Sequence, residues 1–261
     1  MLSLKIGATG MQAQQTNVDT IANNIANMTT TGYKRRRPQF QDLLYQNDQR
    51  PGSINSSDGR VVPSGIQKGL GVRPTSIMRL HEQGGLQITD NQLDLALNGD
   101  GFFQVELPDG EIAYTRDGTF QINEEGEIVT GRGNLVEPNI TIPDDAIDIE
   151  INENGEVFAA IDGQPDLQNL GQLELATFIN PAGLNAIGNN LLLETEASGP
   201  PITGEPGEEN FAFILQGALE SSNVEPVDEI TNLITAQRAY EMNSNVISTS
   251  DEMMRDVNQL R

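Results

Sequence analysis

A chain of 261 residues with a net charge of -23 has room for a sizeable core, but only 36% of it is hydrophobic and 5% aromatic, with no tryptophan, 26 glycines and 13 prolines. That mix suits short strands, turns and extended segments, so several small packing units are expected in place of one large core. The absence of cysteine excludes disulfides, thiolate metal sites and thiol nucleophiles together.

No run approaches the ~20 apolar residues of a membrane-spanning helix, so no membrane insertion is expected. Met1-Leu2-Ser3-Leu4-Lys5-Ile6-Gly7 continues into a polar stretch without a cleavage pattern. The expectation is a chain that is cytoplasmic, or exported by a route that leaves its N-terminus intact. The charge is unevenly spread: up to Leu80 ten Lys or Arg face four Asp, giving +6, so the remainder carries -29. Either an acidic soluble body bears a basic arm, or the basic arm of one copy lies on the acidic body of another.

The first element is a helix. Leu4, Met11, Val18 and Ile25 recur at intervals of seven, and Ile21 and Met28 add the companion seam position, a narrow apolar stripe of coiled-coil type. The other faces carry Gln12, Gln14, Gln15, Thr16, Asn17, Thr20, Asn23, Asn24 and Asn27 where a freely solvated helix would carry Glu and Lys. Uncharged amides hydrogen-bond to neighbours without the desolvation cost of charge, which points to helices packed on several sides.

After Met28 the cluster Thr29-Thr30-Thr31-Gly32-Tyr33 reads as a helix end. The basic run Lys34, Arg35, Arg36 and Arg37 follows without interleaved aromatics in a strongly acidic chain, so no nucleic acid partner is expected and a surface or inter-subunit salt-bridging role is favoured. From Pro51-Gly52 to Pro74 the chain lacks helical periodicity and reads as an extended arm. From about Leu86 to Leu193 apolar residues alternate, as at Leu93, Leu95 and Leu97 or Ile147, Ile149 and Ile151. The pairs Asp100-Gly101, Asp109-Gly110, Asp117-Gly118, Glu125-Gly126, Asn154-Gly155 and Asp162-Gly163 punctuate them, predicting successive antiparallel hairpins.

A second helix closes the chain, with Leu233, Tyr240, Ile247 and Met254 seven apart and Ile230, Ile234, Ala236 and Val257 beside them. Pro226, Asp228 and Glu229 suit its N-terminal turn, and Arg255 and Arg261 its other end. The two ends form either an intramolecular stalk or helices that order only on assembly, since short amide-rich helices are marginal alone. The expected fold is α+β: a helix within 1–30 paired with one in 226–261, connecting and arm segments at 31–85 and 196–225, and an inserted antiparallel β domain at 86–195.

Nothing carries catalysis, a metal or a cofactor. His81 is the only histidine, so no Ser-His-Asp or multi-histidine constellation exists. The nearest approach to a calcium loop, Glu150 through Gly155, has Ile161 where a bidentate Glu should fall. Gly131-Arg132-Gly133 is too short for a phosphate loop.

Five segments taken together resemble the bacterial flagellar rod and hook family of axial proteins. They are Ala22-Asn23-Asn24-Ile25-Ala26-Asn27 with Thr31-Gly32-Tyr33-Lys34-Arg35; Leu93-Asp94-Leu95-Ala96-Leu97-Asn98-Gly99-Asp100-Gly101-Phe102-Phe103; Tyr114-Thr115-Arg116-Asp117-Gly118; Gly217-Ala218-Leu219-Glu220; and Ala236-Gln237-Arg238-Ala239-Tyr240-Glu241. Length and a developed arm from Gln46 to Gly71 are similar to the members that build the distal part of the rod more than to hook or proximal rod subunits. The resemblance implies export through the flagellar type III channel, then polymerisation with copies of itself into the drive shaft. It also implies contacts with other rod proteins, with hook subunits or their junction, and with the P- and L-ring bushings. The rival from a different class is a glycan-binding β module displayed on a stalk.

Overall fold

The computed structural model describes residues 2–49, 64–161, 167–208 and 210–259. They fall into two compact units: one built from residues 1–25, 36–78 and 226–261, the other from 26–35 and 79–225. The middle of the expected arm, the Asp162-Gly163 turn and Arg261 lie outside the described residues.

The first unit contains the helices α1 (Leu2–Ala26) and α2 (Pro226–Gln259). The helix α1 stops four residues short of position 30. The Thr30 N–H folds back onto the Asn27 carbonyl at 3.2 Å and Gly32 adopts a φ of +65°, so the β-branched Thr29–Thr31 run forms a turn instead of continuing the helix. Met28, expected on the seam, therefore lies on that turn and is exposed. The helix α2 opens with Pro226, whose missing N–H costs nothing there, and with Asp228 and Glu229 in the first turn. Arg255 does not cap the far end: it pairs back one turn to Asp251 at 2.8 Å. The same unit holds two ladders, strand Arg36–Asp42 with Val72–Arg79 and strand Tyr45–Gln49 antiparallel to Ile66–Gly69.

The second unit is β-rich. Strand Phe102–Glu106 sits at its centre, flanked antiparallel on one side by Ile112–Thr115 and on the other by Leu135–Glu137 and Leu175–Thr177. Both faces of this strand are buried, so its adjacent aromatics part company. Phe103 enters the main core with Leu95, Leu97, Phe120, Val157, Leu175 and Ile214, while Phe102 enters a second cluster with Tyr114, Ala176, Phe178 and Leu184. Ring edges meet faces in both, with centroids 5.1 Å apart for Phe103–Phe120 and 4.8 Å for Tyr114–Phe178.

The predicted turns divide by chemistry. Asp109-Gly110, Glu125-Gly126 and Asn154-Gly155 are hairpin tips, each Gly having a positive φ of 78° to 84°. Asp117-Gly118 is not one: the strands on either side of it do not pair with each other. Its glycine is required because a Cβ there would sit 1.7 Å from the Leu95 carbonyl oxygen. Strands Ile202–Gly204, Phe213–Gln216 and Ala218–Glu220 return to the same unit, pairing with Leu175–Thr177, Leu95–Asn98 and Leu86–Ile88.

Candidate assembly surface

The two helices of the first unit touch mainly through small and polar residues. Ser3 and Ser250 hydroxyls lie 3.2 Å apart, Gly10 faces the Asn243 amide so closely that a Cβ would come within 2.9 Å of it, and Asn24 donates to Glu229 at 3.3 Å. Each step of seven or fourteen residues along α1 is matched by an equal step back along α2, which fixes an antiparallel pairing of heptad spacing. Between these contacts Ile247 fills the hollow at Gly7, its Cγ1 2.9 Å from where a Cβ would stand. Small side chains allow the backbones to approach, and the amides and hydroxyls bond across the seam.

Of the apolar rows expected at the seam, Ile247 reaches this line, at Gly7. Ile21 is buried, and Leu4, Met11, Val18 and Ile25 are half-buried. On α2, Leu233, Ile247 and Met254 are half-buried and Ile230 and Tyr240 exposed. Val18 and Tyr240, with Gln15, Gln237 and Glu241, line an open groove of about 410 Å³ along the pair. Further round α2, Val227 is 70% exposed, Met242 62%, Val257 58% and Ile234 55%. Such a density of uncovered large apolar side chains on one helix exceeds the scattering of single residues that a solvated surface tolerates.

The most interior polar group of this unit is Asn24. Its Oδ1 accepts the Arg36 N–H and its Nδ2 donates to the Arg36 carbonyl, both at 2.9 Å, while also reaching Glu229. One side chain thus ties α1, the strand Arg36–Asp42 and α2. The amide-rich face pointed to crowded packing, but nothing in the sequence distinguishes Asn24 from Asn23 or Asn27.

The basic run divides. Lys34 is buried, with Nζ bonded to Glu220 of the same chain at 2.5 Å, and burial lowers its pKa ahead of the opposing pull of Glu220. Arg35 reaches the exposed Glu82 at 3.4 Å, Arg36 is half-buried and Arg37 is exposed. His81 stacks edge-on to Phe102 at 5.8 Å. Burial, then the cations Arg79, Lys34 and Arg116, push its pKa down to about 4. Among the described residues no group of three His, Asp or Glu is arranged to hold a metal ion.

Residues 4–34 match the family described as flagella basal body rod protein, 96–159 the flagellar hook protein FlgE/F/G D1 domain, and 215–260 the flagellar basal body rod FlgEFG protein C-terminal region. Over 261 residues, all of both chains, the sequence is 55% identical to the flagellar basal-body rod protein FlgG of Caulobacter vibrioides. It is 51% identical over 253 residues to FlgG of Agrobacterium fabrum, and 48% over 258 to FlgG of Buchnera aphidicola subsp. Schizaphis graminum, covering 97% and 99% of each chain in turn. With identity of this extent over its whole length, and matched segments falling on α1, on the β unit and on α2, the chain belongs to the flagellar rod and hook family and is most like its distal rod protein.

Proposed function

We propose that this chain is a structural subunit that polymerises with its own copies into the distal rod of the flagellar basal body, carries torque from motor to hook, and performs no catalysis. The observation that carries the reading is the uncovered apolar surface of α2, from Val227 through Ile234 and Met242 to Val257. Helices of neighbouring copies supply a matching cover. A head-to-tail contact that does not close into a ring propagates as a helical tube. The helical ends then form its wall, and the arm from Gln46 to Gly71 bridges neighbours and stiffens it. The reading assigns other rod proteins and the hook or its junction to the two ends of the tube, and the P- and L-ring bushings to its circumference. It assigns export through the flagellar type III channel without a cleaved signal.

Arg35, Arg36 and Arg37, and not the buried Lys34, are the cations that meet the acidic body of a neighbour.

The test is a pair of substitutions at exposed positions, Ile234→Glu with Met242→Glu. Because both side chains are more than half exposed, the thermal melt of the purified protein should stay within about 3 °C of the parent. Rods should be absent from basal bodies viewed by electron microscopy, and the cells non-motile. Rods of normal number and length would refute the reading.

A further inference from the structure

Three segments far apart in sequence meet inside the second unit. Lys34 lies in the connector 26–35 that continues from α1, Arg116 follows the strand Ile112–Thr115, and Glu220 ends the strand Ala218–Glu220. Their side chains are 4%, 5% and 0% exposed. Lys34 Nζ donates to Glu220 Oε1 at 2.5 Å and to the Glu82 carbonyl at 2.8 Å, and the Gly84 N–H donates to the same carboxylate oxygen at 2.8 Å. Arg116 brings Nε to 3.6 Å from Glu220 Oε2, donates from Nη2 to the Gly99 carbonyl at 2.7 Å, and lies 5.8 Å over the Phe102 ring.

The connector is held on both sides of Lys34. The Asn190 amide donates to the Thr31 carbonyl at 3.3 Å, the Gly32 N–H donates to the Glu220 carbonyl at 2.8 Å, and the Arg35 N–H donates to Asn223 Oδ1 at 2.6 Å. A Cβ on Gly32 would stand 2.8 Å from the Arg116 carbonyl carbon, so the connector lies directly on the Arg116 backbone.

Stability alone is a poor reason for such a cluster. Burying three charges carries a desolvation cost that well-packed apolar side chains of similar volume avoid. A buried charge set does something a greasy patch cannot, because it tolerates one arrangement only. Lys34 stands between Tyr33 and Arg35, and a slip by one residue would present a phenol or a guanidinium to a site shaped for the compact ammonium that reaches both Glu220 and the Glu82 carbonyl.

We infer that Lys34, Arg116 and Glu220 form a positioning latch that fixes the register of the connector on the β unit, so that load arriving along the chain from α1 is passed on without slack. The load-bearing part of this inference rests on the proposed rod function; the register-fixing part does not.

The experiment uses the full-length chain. One variant, Lys34→Met with Arg116→Met and Glu220→Leu, replaces the triad by apolar groups of similar volume; another, Lys34→Arg, keeps the charge and loses the geometry. Expected for the triple variant is a melt within about 5 °C of the parent, with amide exchange at residues 27–35 at least ten-fold faster and swimming impaired in viscous medium although rods form. Lys34→Arg should show the same faster exchange with the β unit's protection unchanged, which keeps the test open if the triple variant fails to fold. Connector exchange equal to the parent in both variants would overturn the latch. Exchange is read on the unassembled chain, so failure of the parent to build rods would count against the rod function and leave the latch to be decided by exchange.

Discussion

At Asn24 one buried amide satisfies the main chain of Arg36 in both directions and still reaches Glu229. Removing it by Asn24→Ala strands a backbone donor, a backbone acceptor and a carboxylate in the interior, a loss of about 2–4 kcal/mol at roughly 1–3 kcal/mol per orphaned group with partial relaxation. Urea melts should show it, and Asn24→Asp should fail to rescue because it sets a second carboxylate against Glu229. Gly118 is a different case, in which no relaxation is available. A Cβ would meet the Leu95 carbonyl oxygen at 1.7 Å, so Gly118→Ala should cost about 3 kcal/mol or more in the same assay. His81 links pH to stability. Its folded pKa of about 4 lies below the ordinary 6.5, so the folded chain binds fewer protons than the unfolded one between those values. The contribution is complete above pH 6.5, falls as pH drops through the window and is gone below about 4, an effect of up to about 3 kcal/mol. Melts at pH 7 and pH 4.5 should therefore differ less in His81→Phe than in the parent. At this scale the sequence marked residue types better than roles: Asp117-Gly118 has the composition of a turn and serves as a close approach, because a Gly chosen for φ and a Gly chosen for space look alike.

The helix pair shows what periodicity can and cannot say. The interval of seven is real in both helices, but the line of closest approach runs through Ser3, Gly10 and Asn24 on one and Glu229, Asn243 and Ser250 on the other. Of the apolar rows picked out by the interval, Ile247 reaches it, at Gly7. A heptad names a face, while the row at the centre depends on which partner comes nearest, and that information lies on the other helix. Magnitudes separate two substitutions here. Gly10→Ala gains about 1 kcal/mol of helix propensity and asks only the end of the Asn243 side chain to move, so near-neutral melts are expected. Gly10→Leu must push the helices apart, costing about 1–3 kcal/mol; faster amide exchange in α1 and α2 with the β unit unchanged would report it. In that unit, hairpins with long alternation and an Asx or Glu before Gly were legible. The partners of Ile202–Gly204, Phe213–Gln216 and Ala218–Glu220 were not, since strands of three or four residues carry too few positions to display a period of two and their partners lie far off in sequence.

Across the whole molecule the division of charge, +6 up to Leu80 against -29 beyond it, is the property most readily tested on assembly. If Arg35, Arg36 and Arg37 meet acidic surface on a neighbour, raising salt toward 0.5 M should slow polymerisation of the parent through screening, the Debye length falling below about 5 Å. The variant Arg35→Gln/Arg36→Gln/Arg37→Gln should polymerise slowly at every salt concentration; equal rates for both proteins at low salt would exclude that contact. The central claim, that the terminal helices are completed by neighbouring copies, is tested most directly by amide hydrogen exchange of the same protein as dilute monomer and as assembled rod. Both α1 and α2 should exchange faster than the β unit in the monomer and be strongly protected in the rod, with the β unit protected alike in each. Helices already fully protected in the monomer, with no gain on assembly, would contradict it.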